Sequence, residues 1–414
     1  MTNSKKYPWI LVGLLWVVAL LNYLDRQMLS TMKSAMQLDI HELQSAANFG
    51  YLMAVFLWIY GIMSPFSGII ADKVNRKWLI IFSLFIWSLV TFFMGYATSF
   101  SQIYWLRAFM GFSEALYIPA GLSLISDYHP SKTRSLAIGI HMSGIYMGQA
   151  LGGFGATIAN QFSWQQAFHS FGLIGIAYSL VLILFLKDEI RMKHTNKEVK
   201  RINPLNSLNS VLKGVGLLLS NISFWIILMY FAVPSLPGWG VKNWLPTLFA
   251  QNLKIDMSLA GPMATITLAG ASLLGVLFGG IVSDQWVQKN MRGRIYTSAI
   301  GLGLTVPALF LISYGHSLLS VVGASFCFGF GFGMFDTNNM PILCQFVASK
   351  YRATAYGLMN LVGVFSGAII TNILGKSNDK GSMNQDFFYL ALIVAGALII
   401  QLLFLRPKTI DYID

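Results

Sequence analysis

Residues 111–119 read GFSEALYIP, and residues 333–341 read GMFDTNNMP. Both stretches fit one pattern: a glycine, two residues, an acid, four residues and a proline. A second pair of matching stretches follows them, because residues 134–139 read RSLAIG and residues 352–357 read RATAYG. The two copies lie in opposite halves of a chain of 414 residues. We infer an internal duplication that places one acid at the same point of each half.

The composition indicates a membrane protein. Hydrophobic residues make up 55% of the chain and charged residues only 11%, whereas a soluble domain carries about 25% charged residues. Apolar stretches near the roughly 20 residues that a helix needs to cross a bilayer recur from end to end. The sequence therefore predicts an all-α membrane protein of twelve transmembrane helices in two pseudo-symmetric six-helix bundles. The predicted spans are 8–30, 45–72, 76–98, 101–127, 134–160 and 165–187, then 220–250, 258–285, 292–314, 316–345, 350–375 and 385–406.

One long polar segment, 188–213, divides the two halves. We predict an N-terminal bundle over 1–187, a cytoplasmic linker over 188–213 and a C-terminal bundle over 214–414. A solvated linker is the plain interpretation of 188–213, and an amphipathic helix on the membrane surface is the alternative. A duplicated membrane protein with one buried acid in each half is typical of secondary transporters.

Basic residues predict the orientation. Most of the 28 lysines and arginines lie on the side that holds the termini and the central segment. The opposite side is predicted to carry Lys33, Lys242, Lys254, Lys376 and Lys380. Loops rich in lysine and arginine usually remain in the cytoplasm, so we expect both termini there. We expect the protein to span a plasma membrane, namely the inner membrane of a bacterium. The net charge of +12 reflects this bias and attraction to anionic lipid. Basic stretches lack interleaved base-stacking aromatics, so nucleic acid is not an expected partner, and we expect a monomer.

The loops after the second span of each half repeat as well. Residues 68–77 read GIIADKVNRK, and residues 280–284 read GIVSD, with two arginines a few positions later. The glycine permits close helix approach, and the aspartate can cap a helix end or hold a neighbouring arginine. We predict a cytoplasmic latch that breaks during the transport cycle, formed by Gly68, Asp72, Arg76, Asp284, Arg134 and Arg352.

The pattern of residues 68–77 resembles the signature loop of the major facilitator superfamily. The resemblance covers essentially the whole chain, with its twelve spans, polar central segment and weaker second copy of the loop. It implies two six-helix bundles around a central cavity that opens alternately to each side of the membrane.

One branch of that superfamily is most similar. Residues 22–26 (NYLDR), the spacing of Arg107 and Glu114 before the PAG of 119–121, and residues 243–247 (NWLPT) resemble the anion:cation symporters, which include hexuronate, galactonate and sialic acid carriers. Spinster-like lysolipid transporters share the NYxDR start and the Arg-to-Glu spacing. The polar stretch 336–339 (DTNN) departs from the tenth span of the symporter branch, and this leaves the exact substrate open.

Five charges inside predicted spans are candidates for function: Asp25, Arg26, Arg107, Glu114 and Asp336. Charges within the membrane are costly and usually functional, although a buried ion pair that only fixes helix packing is the alternative. Arg107 and Glu114 share one helix face about 10 Å apart along the axis. Asp25 and Arg26 point about 100° apart, so only one of them can face a cavity directly.

These charges predict a mechanism. Arginine keeps its charge and can bind a carboxylate through two hydrogen bonds, so Arg26 is the predicted substrate anchor and Arg107 assists it. Desolvation penalises a carboxylate relative to its neutral acid, so Glu114 is the predicted proton carrier, with Asp25 and Asp336 as further proton-coupling residues. Competition between acid and substrate for one cation would couple the two fluxes.

Polar side chains suited to sugar hydroxyls lie in the same spans. The favoured ones are Tyr23, Tyr60, Tyr146, Gln149, Asn338, Asn339 and Asn360; hydrogen bonds between helices are the alternative for each. A serine–histidine–aspartate arrangement, a phosphate-binding Gly-Lys-Ser/Thr loop and a cysteine–histidine metal spacing are all missing from the sequence. We therefore expect no enzyme activity, no cofactor and no metal.

The predicted function is proton-coupled symport of a small organic anion, such as a hexuronate, an aldonate or another sugar acid. Two alternatives remain open: a spinster-like transporter of lysolipid or another amphiphile, and a sensor that binds solute without transporting it. Sensors of that kind often carry a long regulatory tail, whereas only a short segment follows the last predicted span, so the sensor is disfavoured.

Overall fold

The computed structural model describes residues 6–187, 215–348, 351–407 and 409. The predicted linker and the termini beyond these ranges lie outside the described residues. The same holds for the side chains of a few residues within helices: Gly68, Ile69, Asp72, Lys73, Ser131, Lys132, Ser135, Ser223 and Ala353. In the described part the chain forms helices, turns and loops, with no strand.

Contacts divide the chain into two compact units. The first comprises Met1–Lys200 with Met257–Pro262, and the second comprises Arg201–Asp256 with Met263–Asp414. The exact domain boundaries at 187, 188, 213 and 214 stay a prediction, since they fall within or beside the segment outside the described residues.

Nine helices of the N-terminal half are labelled here in chain order. They are α1 Tyr7–Thr31, α2 Lys33–Met36, α3 Ala46–Lys73, α4 Arg76–Met94, α5 Phe100–Glu114, α6 Tyr117–Tyr128, α7 Ser131–Gly152, α8 Gly155–Gln161 and α9 Trp164–Phe185, with a 3₁₀ turn at His41–Gln44. Side-chain caps define several starts. Ser45, Asn75 and Ser99 each accept a hydrogen bond from a backbone N–H in the first turn, which satisfies a donor that the helix leaves unpaired.

After a helical stretch over 215–219, seven further helices are described in the C-terminal half. They are α10 Ile222–Leu253, α11 Met257–Val287, α12 Gly293–Tyr314, α13 Leu318–Asp336, α14 Asn339–Cys344, α15 Arg352–Asp379 and α16 Met383–Phe404. Within the described ranges, eleven stretches are long and apolar enough to cross a membrane. The remaining predicted span, the fifth at 134–160, corresponds to α7 and α8, which carry more polar residues.

The duplicated acid-to-proline pattern breaks a helix in each half. The fourth predicted span is α5 followed by α6, and the tenth is α13 followed by α14. Proline has no N–H, so Pro119 cannot bond the carbonyl of Ala115, and Pro341 cannot bond that of Thr337. Ala115 and Thr337 are the C-cap residues of α5 and α13. The acid is therefore the last residue before the break in both halves.

Glycines explain how the weakly apolar α7 is held. Gly144, Gly148 and Gly152 are spaced four apart and lie against the backbone carbonyls of three α1 residues, Trp16, Leu20 and Leu24. A Cβ at any of these glycines would collide with α1. Small residues at this spacing let membrane helices approach closely, and the gain in dispersion contacts drives their association.

Replacing Gly148 with alanine is expected to destabilise the N-terminal unit by about 1–3 kcal/mol, because its Cβ would overlap the Leu20 backbone. The measurement is the melting temperature of the purified protein. Gly139→Ala is the matched control, because Gly139 lies on the same helix with open space where a Cβ would stand. Equal melting temperatures for the two variants would show that the close approach of α7 to α1 is not a source of stability.

Candidate functional site

The N-terminal unit holds a buried ion pair between α1 and the end of α5. Arg26 Nε donates to Glu114 Oε2 at 2.6 Å, and the Glu114 side chain is fully buried. Asn22, one turn before Arg26, donates through Nδ2 to the same oxygen at 3.0 Å. Two residues on one face of α1 therefore hold a single carboxylate oxygen.

Both partners of this pair keep unused hydrogen-bonding atoms. Glu114 Oε1 and Arg26 Nη2 are buried and have no hydrogen-bond partner within the described ranges. Unsatisfied buried polar atoms are rare and costly. The unused Arg26 Nη2 can donate to a further acceptor, and the unused Glu114 Oε1 can accept a hydrogen bond or a proton.

Aromatic rings enclose the Arg26 guanidinium. Its central carbon lies 4.8 Å from the ring centroid of Tyr23, 4.7 Å from that of Phe56 and 4.7 Å from that of Tyr60. Ring faces attract a cation without neutralising its charge. Arg26 is therefore stabilised in place while it remains able to bind an anion.

A second arginine lies beside the same ring. Arg107 is buried, and its guanidinium carbon is 4.8 Å from the Phe56 centroid. Its Nη1 donates to Met110 Sδ at 3.1 Å, and sulfur is a weak acceptor. Its Nε has no hydrogen-bond partner, and Arg107 forms no ion pair, among the residues that the structure describes. Arg107 is a permanent cation that forms no salt bridge within the described residues, and this makes it a second candidate anion contact.

Asp25 faces another helix. Thr91 on α4 donates to Asp25 Oδ2 at 3.2 Å, and Asp25 is buried. The sequence expectation that Asp25 and Arg26 diverge agrees with these contacts, because Arg26 binds α5 while Asp25 binds α4. Asp25 is not a member of the Arg26–Glu114 pair, and its proton-coupling role stays a prediction.

In the C-terminal unit, the break after α13 gathers three predicted residues. Asp336 accepts a hydrogen bond from Asn339 Nδ2 at 3.1 Å, and Asn338 Nδ2 donates to the Met334 carbonyl at 2.8 Å. Both asparagines are buried, and the Oδ1 atom of each has no hydrogen-bond partner in the part of the chain that is described. These two oxygens are candidate acceptors for ligand hydroxyls.

The other predicted hydroxyl-binding residues are divided between the units. Tyr23 and Tyr60 lie against Arg26. Gln149 is buried on α7, and Tyr146 is half-buried one turn before it. Asn360 is half-buried on α15 of the C-terminal unit.

The predicted latch residues form local contacts. Arg76 pairs with Asp127 at the end of α6, and Arg294 lies 3.6 Å from Asp284. The side-chain positions of Gly68 and Asp72 lie outside the described part of the structure. Arg134 Nε donates to the His129 carbonyl at 3.4 Å, and Arg352 Nε donates to the Val347 carbonyl at 3.2 Å. Each of the last two arginines thus binds the carbonyl five positions before it, so the duplicated sequence repeats a contact.

Two contributors to this site could not be found from the sequence alone. Asn22 has no predicted role, although its position one turn before Arg26 indicates a shared partner. Phe56 carries no sequence signal, because a phenylalanine in an apolar span is ordinary. Lys242 lies within α10, eleven residues before its end, and its position on the side opposite the termini stays a prediction.

The chain belongs to the Major Facilitator Superfamily, whose family model matches residues 15–371. It is therefore a multi-pass membrane transporter with the all-helical, twelve-span fold of that superfamily, and not an enzyme. The resemblance inferred from the signature loop is confirmed, and so is the similarity to anion transporters.

Known proteins similar to this chain include anion transporters. A chloroplastic ascorbate transporter of Arabidopsis thaliana is 26% identical over 429 residues, which covers 98% of this chain and 77% of the relative. A probable L-galactonate transporter of Escherichia coli strain K12 is 25% identical over 412 residues, covering 96% of this chain and 88% of the relative. A crystal structure of a bacterial homologue of the human lysosomal transporter Spinster has a TM-score of 0.77 at 19% identity, with 98% of both chains covered. That last likeness shows the fold alone.

Proposed function

We propose that this transporter is a proton-coupled symporter of a small organic anion, most simply a hexuronate, an aldonate or another sugar acid. The observation that carries the proposal is the buried Arg26–Glu114 ion pair, in which both partners keep unused polar atoms. The names of the ascorbate and L-galactonate transporters support an oxygen-rich organic acid as the substrate class.

The empty, deprotonated carrier corresponds to the observed pair, in which Glu114 neutralises Arg26. A proton that binds Glu114 removes the negative charge and leaves Arg26 buried without a counter-ion. An uncompensated buried charge costs several kcal/mol, roughly 3–5 when one partner of a buried pair is removed. A substrate carboxylate restores the balance by binding Arg26, so proton and anion bind together or not at all.

Arg107 has a distinct part in this cycle. Its charge is permanent, and no carboxylate of the described chain pairs with it. It attracts the anion before Glu114 has released Arg26. When Glu114 loses its proton on the other side, its carboxylate competes again for Arg26 and expels the substrate, a consequence of different affinities in two states.

Asp25 and Asp336 are proposed as additional proton carriers. The hydroxyls of the substrate are assigned to the predicted polar set, which comprises Tyr23, Tyr60, Tyr146, Gln149, Asn338, Asn339 and Asn360. We further propose alternating access, a latch that includes Arg76, Asp284, Arg134 and Arg352, a monomer in a bacterial inner membrane, and cytoplasmic termini.

Purified protein is expected to be stabilised by sugar acids and not by the matched neutral sugars. A ligand at 100 times its dissociation constant adds about 2.7 kcal/mol to the free energy of unfolding, which a thermal-shift assay detects. The screen compares galactonate and glucuronate with galactose and glucose, and includes a lysolipid. Stabilisation by the lysolipid alone would favour the amphiphile transporter instead. Uptake of the stabilising acid into proteoliposomes under an inward proton gradient then separates a symporter from a sensor.

A further inference from the structure

One face of α1 presents an amide to the carboxyl group of Glu114. Asn22 Nδ2 donates to Glu114 Oε2 at 3.0 Å, and both side chains are fully buried. Arg26 Nε donates to the same oxygen at 2.6 Å. Oε2 therefore already accepts from two donors, one on an amide and one on a guanidinium.

The other ends of the amide and the carboxyl group are unused. Asn22 Oδ1 and Glu114 Oε1 are both buried, and neither has a hydrogen-bond partner among the residues that the structure describes. Both atoms are acceptors while Glu114 is ionised, so they cannot satisfy each other. Buried acceptors without a donor are rare and costly, and a single donor placed between these two would satisfy both.

A proton on Glu114 is the donor that fits. An amide carries N–H and C=O at the two ends of one plane, and a protonated carboxyl group carries O–H and C=O in the same way. The spacing within the two groups matches, so the Nδ2–Oε2 bond allows Oδ1 and Oε1 to face each other. A proton on Oε1 then completes a ring of two hydrogen bonds, Nδ2–H to Oε2 and Oε1–H to Oδ1.

We propose that Asn22 is the second partner of the transported proton, which binds Glu114 Oε1 and is donated to Asn22 Oδ1. This inference rests on the proposed proton-coupled transport. The incoming proton forms the Oε1–H bond and makes the carboxylate a neutral acid, and its return to water on the other side breaks that bond. Asn22 satisfies the neutral acid while Arg26 binds the substrate.

Other charged and titratable groups surround Glu114 in the N-terminal unit. They are Arg26 and Asp25 on α1, Arg107 on α5, and Tyr23 and Tyr60, whose rings lie against Arg26. None of these described groups bonds to Oε1. Arginine has no acceptor atom, so of the two side chains bonded to Glu114 only Asn22 can accept a hydrogen bond from the acid.

The test is infrared difference spectroscopy of the purified protein between high and low pH. Protonation of Glu114 produces a carboxylic acid C=O band, and Glu114→Gln identifies that band by losing it. Hydrogen bonds at both ends of the acid lower the frequency of the band. Asn22→Leu, which has nearly the same size and no polar side-chain atom, is therefore expected to shift the band to higher frequency.

Asn48→Leu is the matched control for this shift. Asn48 lies at the start of α3, and its Nδ2 donates to the Glu42 carbonyl at 2.8 Å. The chemical change is the same and the partner is different, so the Glu114 band should keep its wild-type frequency.

Exchange of galactonate in proteoliposomes gives a second measurement. Asn22→Leu leaves the O–H of the neutral acid without an acceptor in the loaded carrier, so the KM for galactonate is expected to rise about tenfold. Asn48→Leu should keep the wild-type KM. If Asn22→Leu does not fold, Asn22→Val removes the same amide with less bulk and takes its place in both measurements.

The outcomes separate this inference from the proposed function. A Glu114 band at the wild-type frequency, or an unchanged KM, in the folded Asn22 variant overturns the role of Asn22 alone. A wild-type spectrum without any acid band that Glu114→Gln removes overturns the proton-carrier role of Glu114, and the proposed function fails with it.

Discussion

Arg26→Ala is expected to abolish uptake of an anionic substrate. In the proposed cycle the guanidinium binds Glu114 in the empty carrier and the substrate carboxylate in the loaded one. Alanine removes this group, so the substrate carboxylate has no buried counter-ion. Loss of a charged hydrogen-bonding partner of this kind costs roughly 3–5 kcal/mol, which corresponds to a drop in affinity of a hundredfold or more. The measurement is uptake of the radiolabelled acid into proteoliposomes. Undiminished uptake would remove Arg26 from the site.

Arg26→Ala also leaves the buried Glu114 carboxylate with Asn22 as its remaining hydrogen-bond partner. Because this could destabilise the protein, the experiment needs a control for folding. The double variant Arg26→Gln with Glu114→Gln replaces the ion pair by two neutral amides of similar size. Neutral replacements of buried pairs are often tolerated without loss of stability. The double variant is expected to melt near the wild-type temperature and to lack substrate exchange, which Glu114→Gln alone should keep. Loss of exchange with normal melting assigns the defect to anion binding.

Local sequence predicts the repeated acid-to-proline pattern and the divergence of two charges, but not where the helices end. The proline five residues after the acid removes one helix hydrogen bond, and α5 and α13 end at the acid. Pro65 and Pro307, in contrast, lie inside continuous helices. The divergence of Asp25 and Arg26 follows from the helical repeat alone. These inferences need only neighbouring residues.

The pairing itself could not be predicted with the same certainty, because it joins residues 88 positions apart. Which acid Arg26 binds depends on how α1 packs against α5, and hydropathy carries no information on helix rotation. The same reason hid Phe56, whose ring lies against two arginines.

The predicted span 134–160 includes α7, although α7 is among the least apolar of the long helices. Its glycines lie against the backbone of α1. Short-range dispersion contacts between the two helices stabilise this packing, whereas span prediction depends on hydropathy. The spacing of Gly144, Gly148 and Gly152 was visible in the sequence, and it identifies the packing face once the neighbouring helix is known.

Glu114→Gln is expected to lose proton-driven accumulation while it keeps substrate exchange. Glutamine has the shape of the protonated acid and cannot titrate, so Arg26 stays available to the substrate in every state. Exchange of labelled for unlabelled substrate requires only binding and reorientation of the loaded carrier, and both survive. Net accumulation requires the acid to release its proton and reclaim Arg26, and that step is gone.

The expected size of the effect follows from the driving force. A gradient of one pH unit supplies about 1.4 kcal/mol for each proton, which sustains roughly tenfold accumulation of a substrate that moves with one proton. The variant should therefore equilibrate at a ratio near one in proteoliposomes in which wild-type protein reaches about ten. Glu42→Gln makes the same chemical change at an exposed residue outside the spans, and it should accumulate like wild type.

Asp25 is the other acid that could carry the proton in the N-terminal unit, and its contacts distinguish the two candidates. Asp25 is bonded to Thr91 and not to either arginine, so its protonation does not free Arg26, and Asp25→Asn should leave exchange dependent on pH. Glu114→Gln should make exchange independent of pH, because the competitor for Arg26 no longer titrates. Accumulation that survives in Glu114→Gln and disappears in Asp25→Asn would transfer the coupling from the ion pair to the Asp25–Thr91 contact.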